Sequence, residues 1–266
     1  MTHIKDKTVL ITGGASGIGK IMARKVLEKG GNVILWDINP QGLDQTKNEL
    51  ETLGTIATYV VDISNIDTLN ATAIQTLKDH PIVDILINNA GIVVGTYFHE
   101  HTQEQILKTM SINANAPMLI SSHFLPLMIQ RNSGHICTIA SSASFISNPK
   151  MAVYAASKWA AFGWSDSVRI EMKKLKSAVK ISTVTPYYIN TGMFDGVKSL
   201  IPILDPEKTA SKIIRGIEKN TKVISMPWNM QFIRFFQGIF TINFFDWFVG
   251  DILGIYKTMK DFKGRS

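Results

Sequence analysis

Tyr154 and Lys158 stand four residues apart (158 − 154), a spacing that places both side chains on one face of a helix. A free phenol titrates near ~10 and is a poor base at neutral pH, but an ammonium group within about 4–6 Å lowers an acid's pKa by roughly 1–3 units. The pair therefore predicts that Lys158 lowers the pKa of Tyr154 and makes it a general base for an alcohol proton. Because Tyr-x-x-x-Lys is short enough to arise by chance, this interpretation depends on the residues around it.

A glycine-rich turn, Thr12-Gly13-Gly14-Ala15-Ser16-Gly17-Ile18-Gly19, follows the first apolar run of the chain. Gly13, Gly17 and Gly19 leave backbone N–H groups bare, and the helix that we expect to begin here adds the positive end of its dipole. A pyrophosphate can bind at such a turn, which favours a nucleotide cofactor. Glycine turns between a strand and a helix also occur without function, so this alternative stays open.

Asp37 ends the second apolar run, where a carboxylate can accept hydrogen bonds from an adenosine ribose and repel a 2′-phosphate. Residue 16, before the middle glycine of the turn, is a serine and not a basic residue that could hold that phosphate. Both observations favour NAD over NADP. A carboxylate that only completes a turn is the alternative for Asp37.

Short β-rich runs alternate with segments of helical period. The runs cover residues 8–12, 33–37, 58–62, 85–88, 135–140, 181–185 and 223–226. Between the first two, apolar residues repeat at helical spacing until Gly30-Gly31, and a longer helix is predicted over residues 154–175. The alternation predicts an α/β, doubly wound Rossmann fold: a central parallel sheet of about seven strands with helices on both faces, in one domain over residues 1–266.

The composition is that of a globular protein, with 45% hydrophobic and 18% charged residues. The net charge is +7, but the 28 Lys and Arg residues are scattered and form no basic stripe, so we expect no nucleic-acid partner. The only cysteine, Cys137, lies in an apolar run, which excludes a disulfide within the chain and fits a reducing cytoplasm. The sequence shows no signal peptide and no apolar run of about 18 residues, so we expect no membrane span.

His99 and His101 are the residues that could suggest a metal, because only Glu100 separates them. Their spacing is not that of a zinc motif, and the surrounding residues are polar. We therefore expect an exposed loop here and no metal site.

The C-terminal segment, residues 226–266, departs from the alternating pattern. Its first part, residues 226–256, holds ten aromatic side chains: Trp228, Phe232, Phe235, Phe236, Phe240, Phe244, Phe245, Trp247, Phe248 and Tyr256. Four basic residues follow: Lys257, Lys260, Lys263 and Arg265. The segment could be core or subunit interface, a lid over an apolar substrate, or a surface that lies on a membrane.

In this order, the motifs resemble the short-chain dehydrogenase/reductase family over almost the whole chain. They are TGGASGIG, Asp37, Asp62, Asn88-Asn89-Ala90-Gly91, Asn113, Ser141, Tyr154-x-x-x-Lys158 and Asn190-Thr191. Three stretches are similar to the subgroup that holds retinol dehydrogenases and lipid-droplet hydroxysteroid dehydrogenases. These are Leu35-Trp36-Asp37-Ile38-Asn39, Thr191-Gly192 and Leu204-Asp205-Pro206-Glu207.

The resemblance implies a catalytic tetrad of Asn113, Ser141, Tyr154 and Lys158. Ser141 precedes Tyr154 by 13 positions (154 − 141), and this spacing favours Ser141 over its neighbour Ser142 as the hydroxyl that stabilises the reacting oxygen. Lys158 also holds the nicotinamide ribose in the family, and Asn113 resembles the asparagine that holds a relay water. A purely structural role within a helix is the alternative for Asn113.

The resemblance also implies the cofactor contacts. Asp62 and Ile63 flank the adenine, the stretch from Asn89 to Gly91 lines the cofactor, and Thr191 meets the nicotinamide carboxamide. The complete expected set is Gly13, Ser16, Gly17, Ile18, Gly19, Asp37, Asp62, Ile63, Asn89, Ala90, Gly91, Tyr154, Lys158, Pro186, Ile189 and Thr191.

Two departures from the family weaken the inference about the substrate. Pro186 is followed by Tyr187 and Tyr188 where the family has glycine, so these rings, with Ser141, are expected to shape the substrate pocket. The animal members of the subgroup carry an N-terminal membrane anchor that this sequence does not show. A lipid-droplet address is therefore not implied.

The leading hypothesis is an NAD-dependent dehydrogenase/reductase that interconverts a secondary or lipophilic alcohol, such as a steroid, retinoid or long-chain alcohol, with its carbonyl. One alternative is an NAD-binding regulatory or scaffold protein with an idle tetrad. Another is a peripheral membrane protein that docks through residues 226–266. The family further implies a homodimer or homotetramer, packed through the helices that contain Asn113 and Tyr154.

Overall fold

The computed structural model describes residues 1–264 and contains one parallel sheet of seven strands. The strands are β1 (Thr8–Thr12), β2 (Asn32–Asp37), β3 (Ile56–Val60), β4 (Ile85–Asn88), β5 (His135–Ile139), β6 (Lys180–Pro186) and β7 (Val223–Met226). Their order is β3-β2-β1-β4-β5-β6-β7. The order reverses between β1 and β4, which is where open α/β sheets bind ligands. The predicted doubly wound fold is confirmed.

Helices cover both faces of the sheet. Their bounds are α1 (Gly17–Glu28), α2 (Pro40–Leu50), α3 (Ile66–Asp79), α4 (Gln103–Met110), α5 (Ala116–Gln130), α6 (Ala152–Lys174), α7 (Pro206–Glu218), α8 (Ile233–Ile239) and α9 (Ile242–Phe245). Successive strand residues point to opposite faces. Val9 and Ile11 pack in the same apolar cluster as α1 and α7, whereas Leu10 packs in the cluster that holds α3, α5 and α6.

Some predicted boundaries were wrong by one or two residues. The third strand covers Ile56–Val60 and not 58–62, because the Asp62 carboxylate accepts hydrogen bonds from the N–H and hydroxyl of Ser64 and closes a turn. The fifth strand ends at Ile139 rather than residue 140, and the long helix runs over Ala152–Lys174 rather than 154–175. Each shift leaves the predicted site residues at the same edge of the sheet.

The C-terminal segment forms short helical pieces rather than one long helix. After β7 come a turn of 3-10 helix (Trp228–Phe232), α8, α9 and a π-helical stretch (Asp246–Ile252). Four of its side chains are buried with residues of the catalytic region: Met230, Phe245, Ile255 and Met259. Most of its aromatic rings are exposed. Arg265, which we grouped with the basic residues of this segment, lies outside the described residues.

His135 begins β5 at the opposite end of the sheet from the glycine turn and is fully buried. Its Nε2 lies 2.8 Å from the Ser182 hydroxyl. Burial is the main reason that the pKa of His135 falls to about 4. Below about pH 6.5, His135 therefore binds a proton in the unfolded chain but not in the folded chain. The free energy of unfolding then decreases as the pH falls.

We expect the free energy of unfolding to drop by about 2 kcal/mol between pH 7 and about pH 5 because of this one group. Urea unfolding at the two pH values measures the drop. In His135→Gln the loss over this interval should be smaller by about that amount. An unchanged pH dependence in the variant would show that His135 does not carry the effect.

Candidate active site

The glycine turn is packed against the end of β4. The Asn89 side-chain amide donates hydrogen bonds to the carbonyls of Thr12 (2.9 Å) and Gly13 (3.2 Å), and the Ala90 N–H donates to the Thr12 hydroxyl (3.0 Å). Gly13 and Gly17 have φ of +67° and +56°, which side chains disfavour. A Cβ on Gly19 would overlap the Gly13 carbonyl oxygen. The turn therefore favours glycine at Gly13 and Gly17 through its backbone conformation, and requires it at Gly19 for lack of space.

Asp37 lies beside this turn at the end of β2. One carboxylate oxygen accepts a hydrogen bond from the Ala15 N–H (3.0 Å), and the other accepts one from the Asn39 N–H (3.1 Å). A carboxylate has about four acceptor positions, so these two bonds fix its orientation and leave capacity for a ribose diol. The turn role that we kept as an alternative for Asp37 is thus present and compatible with ribose binding.

A cavity of about 310 Å³ extends from the glycine turn to Tyr154, a size typical of ligand sites. The predicted site residues that line it are Gly13, Ser16, Gly17, Ile18, Asp37, Asp62, Ile63, Asn89, Ala90, Gly91, Ser141, Tyr154, Lys158, Pro186, Tyr187, Tyr188, Ile189 and Thr191. Gly19 and Asn113 are not among the lining residues. The bare backbone of the turn and the spare acceptors of Asp37 fit a dinucleotide, with its adenosine end near Asp37.

Tyr154 and Lys158 project from the first turns of α6, and each is only 5% exposed. The Lys158 ammonium lies 5.8 Å from the centre of the Tyr154 ring. It donates a hydrogen bond of 2.8 Å to the carbonyl of Ile139, the last residue of β5. Ser141 follows two residues later and accepts a hydrogen bond from the Ala143 N–H (3.1 Å) through its hydroxyl.

The predicted lowering of the Tyr154 pKa was wrong for this arrangement. Burial raises the pKa of Tyr154 to about 12, although a hydrogen bond from the Ser141 side chain acts in the opposite direction. Burial also lowers the pKa of Lys158 to about 8. The two effects have one cause, because a buried site disfavours the phenolate and the ammonium alike. At neutral pH, Tyr154 therefore holds its proton and can act as a general acid.

Asn113 sits in a π-helical turn, Ser111–Asn115, that joins α4 to α5. Its amide donates to the Ile92 carbonyl (2.8 Å) and the Ser157 hydroxyl (3.1 Å), while its side-chain oxygen accepts from the Ile92 N–H (2.9 Å). Ser157 in turn donates to the Tyr154 carbonyl (2.7 Å). The Asn113 side chain thus ties the loop after β4 to the helix that carries Tyr154, and π-helical turns are frequent at functional sites.

The two tyrosines after Pro186 lie with their rings 4.6 Å apart, centre to centre. The Tyr187 hydroxyl hydrogen-bonds the Ser199 hydroxyl (2.7 Å). The Tyr188 hydroxyl hydrogen-bonds Thr258 (3.0 Å) and accepts a bond from the Asn148 amide (3.1 Å). Both hydroxyls are occupied by protein partners, so the tyrosines present ring surface to the cavity.

Several residues that line the cavity were not predicted from the sequence. At the Tyr154 end of the cavity they include Met151, Phe194, Met230 and Ile255. The Phe194 ring packs against Tyr154 (5.9 Å between centres) and Tyr188 (4.9 Å). These side chains come from segments without helical or strand period, so no pattern in a single sequence marks them.

The two loop histidines do not form part of this cavity. His99 is exposed as predicted, but His101 is half-buried because its Nδ1 lies 3.1 Å from the Tyr97 carbonyl and its ring packs near Phe98. Within residues 1–264, no cluster of His, Cys, Asp and Glu has the arrangement of a metal site. Nor does any helix in that range combine the length and apolar character that a membrane span requires.

The family model of the short chain dehydrogenases matches residues 7–200, which include the glycine turn, Asp37, Ser141, Tyr154 and Lys158. The chain belongs to the short-chain dehydrogenase family. It is therefore an oxidoreductase that acts on CH–OH groups with a nicotinamide cofactor.

Similar proteins place the dehydrogenase in the expected subgroup. The chain is 35% identical over 270 residues to epidermal retinol dehydrogenase 2 of Mus musculus, covering 99% of this chain and 87% of the relative. It is 34% identical over 244 residues to estradiol 17-beta-dehydrogenase 11 of Homo sapiens, covering 91% and 81%.

Among solved structures, a short chain dehydrogenase/reductase from Burkholderia phymatum, crystallised in complex with NAD, has a TM-score of 0.81. The match covers 88% of this chain and 94% of that chain at 23% sequence identity. A likeness at this identity supports the fold alone.

Proposed function

We propose that this dehydrogenase uses NAD(H) to interconvert a secondary or lipophilic alcohol and its carbonyl, with Tyr154 as the proton-transfer group. One observation carries the proposal: the buried Tyr154, which is hydrogen-bonded to the Ser141 side chain and has the Lys158 ammonium 5.8 Å from its ring centre, lines the same cavity as the glycine turn and Asp37. A cofactor held by the turn would extend along the cavity toward the phenol. The substrate oxygen would then meet Tyr154 and Ser141 together.

Each polar group has a defined task in this proposal. Tyr154 gives its proton to the carbonyl oxygen in reduction and takes the hydroxyl proton in oxidation. Ser141 hydrogen-bonds the same oxygen and stabilises the charge that develops on it. Lys158, held by the Ile139 carbonyl, stabilises the phenolate that reduction leaves behind. Bound NAD supplies the hydride acceptor for oxidation, and NADH the donor for reduction.

The pKa of Tyr154 predicts opposite pH behaviour for the two directions. Reduction needs the protonated phenol, which persists throughout the neutral range, so its rate should change little from about pH 6 to about pH 7.5. Oxidation needs the phenolate, so its initial rate should rise by up to about tenfold per unit up to about pH 9. Initial rates at saturating cofactor test this. An oxidation rate that levels off below about pH 7 would show that Lys158 does lower the pKa of Tyr154.

Asp37 is the residue that we propose to select NAD. Its carboxylate would accept hydrogen bonds from the ribose hydroxyls and repel the 2′-phosphate of NADP. We expect kcat/KM to favour NAD by at least about tenfold, and Asp37→Asn to reduce this preference by about tenfold or more. Asp62→Asn is the control, because Asp62 bonds Ser64 and should leave the NAD to NADP ratio unchanged. A wild-type enzyme that prefers NADP would contradict the assignment.

The cavity supports a lipophilic substrate. Near Tyr154 its walls are Met151, Phe194, Met230 and Ile255, together with the rings of Tyr187 and Tyr188. An apolar wall stabilises an alcohol with a large hydrocarbon body and offers little to a small polar one. The names of the relatives, a retinol dehydrogenase and an estradiol dehydrogenase, support the same class. A steroid, a retinoid or a long-chain alcohol is therefore the proposed substrate.

The proposal extends to partners and location. A homodimer or homotetramer would pack through the helices that contain Asn113 and Tyr154, and the exposed Trp159 and Ile170 of α6 support such an interface. A cytoplasmic location is compatible with Cys137, the only cysteine of the sequence, which is buried and free. Peripheral contact with a membrane through residues 226–266 is supported by the exposed aromatic rings of that segment.

A further inference from the structure

The C-terminal segment presents a large apolar surface to solvent. We define the apolar face by six side chains that are half or more exposed: Trp228, Phe235, Ile239, Ile242, Trp247 and Ile252. The most exposed is Ile242, at 78%. Single exposed apolar residues are ordinary. Here the rings from Phe235 through Phe236, Phe240 and Phe244 to Trp247 follow one another at 4.7 to 5.9 Å between centres, and a continuous apolar group of this kind marks an interaction site.

The apolar face is held by a fixed backbone and is not a loose tail. Met230, Phe245 and Ile255 anchor it in the core cluster around Tyr154. The Gln237 side-chain amide donates a hydrogen bond of 2.8 Å to the Phe145 carbonyl. The exposed rings therefore point outward because the opposite sides of the same short helices are packed.

Three charged side chains belong to residues 226–256: the exposed Arg234 and Asp251, and the half-buried Asp246. Arg234, the only basic residue of positions 226–256, places its guanidinium 5.5 Å from the centre of the Phe162 ring. The Asp246 carboxylate accepts a hydrogen bond of 2.5 Å from the Tyr256 hydroxyl. Asp251 is the exposed acidic residue of the segment. The centre of the face is thus almost free of charge.

Lysines border the apolar face on one side. Lys257 and Lys260 are exposed, and the Lys150 ammonium reaches the Lys260 carbonyl (3.3 Å), which brings a third positive charge to the same edge. Asp261 in this region is paired with Lys198 at 2.8 Å. An apolar surface with a basic border complements a bilayer whose headgroups are anionic.

From this pairing we infer that the apolar face binds the surface of an anionic phospholipid bilayer. A second copy of the chain fits less well, because it would offer the same lysines at the border and not the anionic groups that complement them. In the bilayer contact, the rings lie among the acyl chains near the headgroups and the lysines lie at the phosphates.

The bilayer contact would also place the substrate cavity beside the lipid. Met230 and Ile255 line the cavity and belong to the segment that forms the apolar face. Leu200, 79% exposed, lies next to Gly254 and extends the apolar surface there. This step depends on the proposed function, because it assumes a lipophilic substrate. With such a substrate, we expect substrate and product to exchange directly with the bilayer.

Cosedimentation with vesicles tests the inference without any turnover. We expect the wild-type protein to pellet at low salt with phosphatidylcholine vesicles that contain about 30% phosphatidylglycerol, and much less with phosphatidylcholine alone. The triple variant Phe235→Ser, Ile242→Ser and Trp247→Ser should lower the partition coefficient by at least about 30-fold. The double variant Lys257→Gln and Lys260→Gln should lower it by about 10- to 30-fold.

The control variant is Ile66→Ser, Ile74→Ser and Ile82→Ser, which removes three equally exposed apolar side chains in and beyond α3 and should bind as the wild type does. Thermal unfolding and NAD titration check that all variants fold. No pelleting at low salt, or pelleting that the aromatic variant leaves unchanged, overturns the inference. So does a wild-type dimer that the aromatic variant dissociates. Vesicle binding by a protein without turnover would leave the inference standing and refute only the proposed reaction.

Discussion

Tyr154→Phe should lower kcat in both directions by at least about 1000-fold while changing the affinity for NAD by less than about threefold. The ring stays in place, so its packing against Phe194 is kept and the pocket keeps its shape. What disappears is the hydroxyl that exchanges the proton with the substrate oxygen. Ser141 can stabilise the oxygen, but among residues 1–264 no His, Asp or Glu side chain bonds its hydroxyl to make it an acid or a base. Steady-state rates and NAD titration measure the two effects.

Tyr187→Phe is the matched control for this experiment. It removes the same atom from another ring of the cavity, where the hydroxyl bonds only Ser199 among the described residues. We expect kcat to change by less than about tenfold. Equal losses in the two variants, or near wild-type turnover in Tyr154→Phe, would refute the role given to Tyr154.

Gly19→Ala should weaken NAD binding by at least about tenfold and destabilise the protein by about 1–3 kcal/mol. The new Cβ would overlap the Gly13 carbonyl oxygen and press on the Asn89 amide, which holds the turn to β4. The turn would have to move, and the backbone N–H groups that face the pyrophosphate would move with it. Calorimetric titration with NAD and urea unfolding measure the two changes.

Gly163→Ala is the matched control, because the same substitution at this position is expected to stabilise the protein. Gly163 is exposed on α6, and a Cβ there would meet no atom within 4 Å. Alanine should therefore stabilise the helix by about 0.5–1 kcal/mol and leave NAD binding unchanged. Normal NAD affinity in Gly19→Ala would show that the turn does not hold the cofactor.

The elements that carry the site were predictable from the sequence because each follows a local rule. A glycine-rich turn indicates backbone with positive φ, and continuous apolar runs indicate strands that are buried on both faces of a sheet. A spacing of four residues indicates two side chains on one face of a helix. These rules place Gly13, Asp37, Ser141, Tyr154 and Lys158 at one edge of a parallel sheet, and the structure puts all five along one cavity.

Three features depend on tertiary packing, which a single sequence does not specify. The sign of the Tyr154 pKa shift follows from burial, which outweighs the hydrogen bond with the Ser141 side chain. The bond from Lys158 to the Ile139 carbonyl joins a side chain to a backbone atom, and backbone partners leave no pattern in the residue types. The third is the C-terminal segment, where a run of aromatic residues is compatible with burial, a lid or exposure. In the structure, the buried Met230 marks the side of this segment that packs on the core, and the exposed Ile242 marks the side that faces solvent.

The most direct test of the account is the rate of reduced-nicotinamide formation with steroids, retinol and long-chain secondary alcohols, each with NAD and with NADP. We expect turnover of at least one of these lipophilic alcohols, with NAD preferred by at least about tenfold in kcat/KM. Tyr154→Phe should abolish that turnover under the same conditions. A correctly folded protein that binds NAD but oxidises none of these alcohols and reduces none of their carbonyls would contradict the account and support an idle, NAD-binding scaffold.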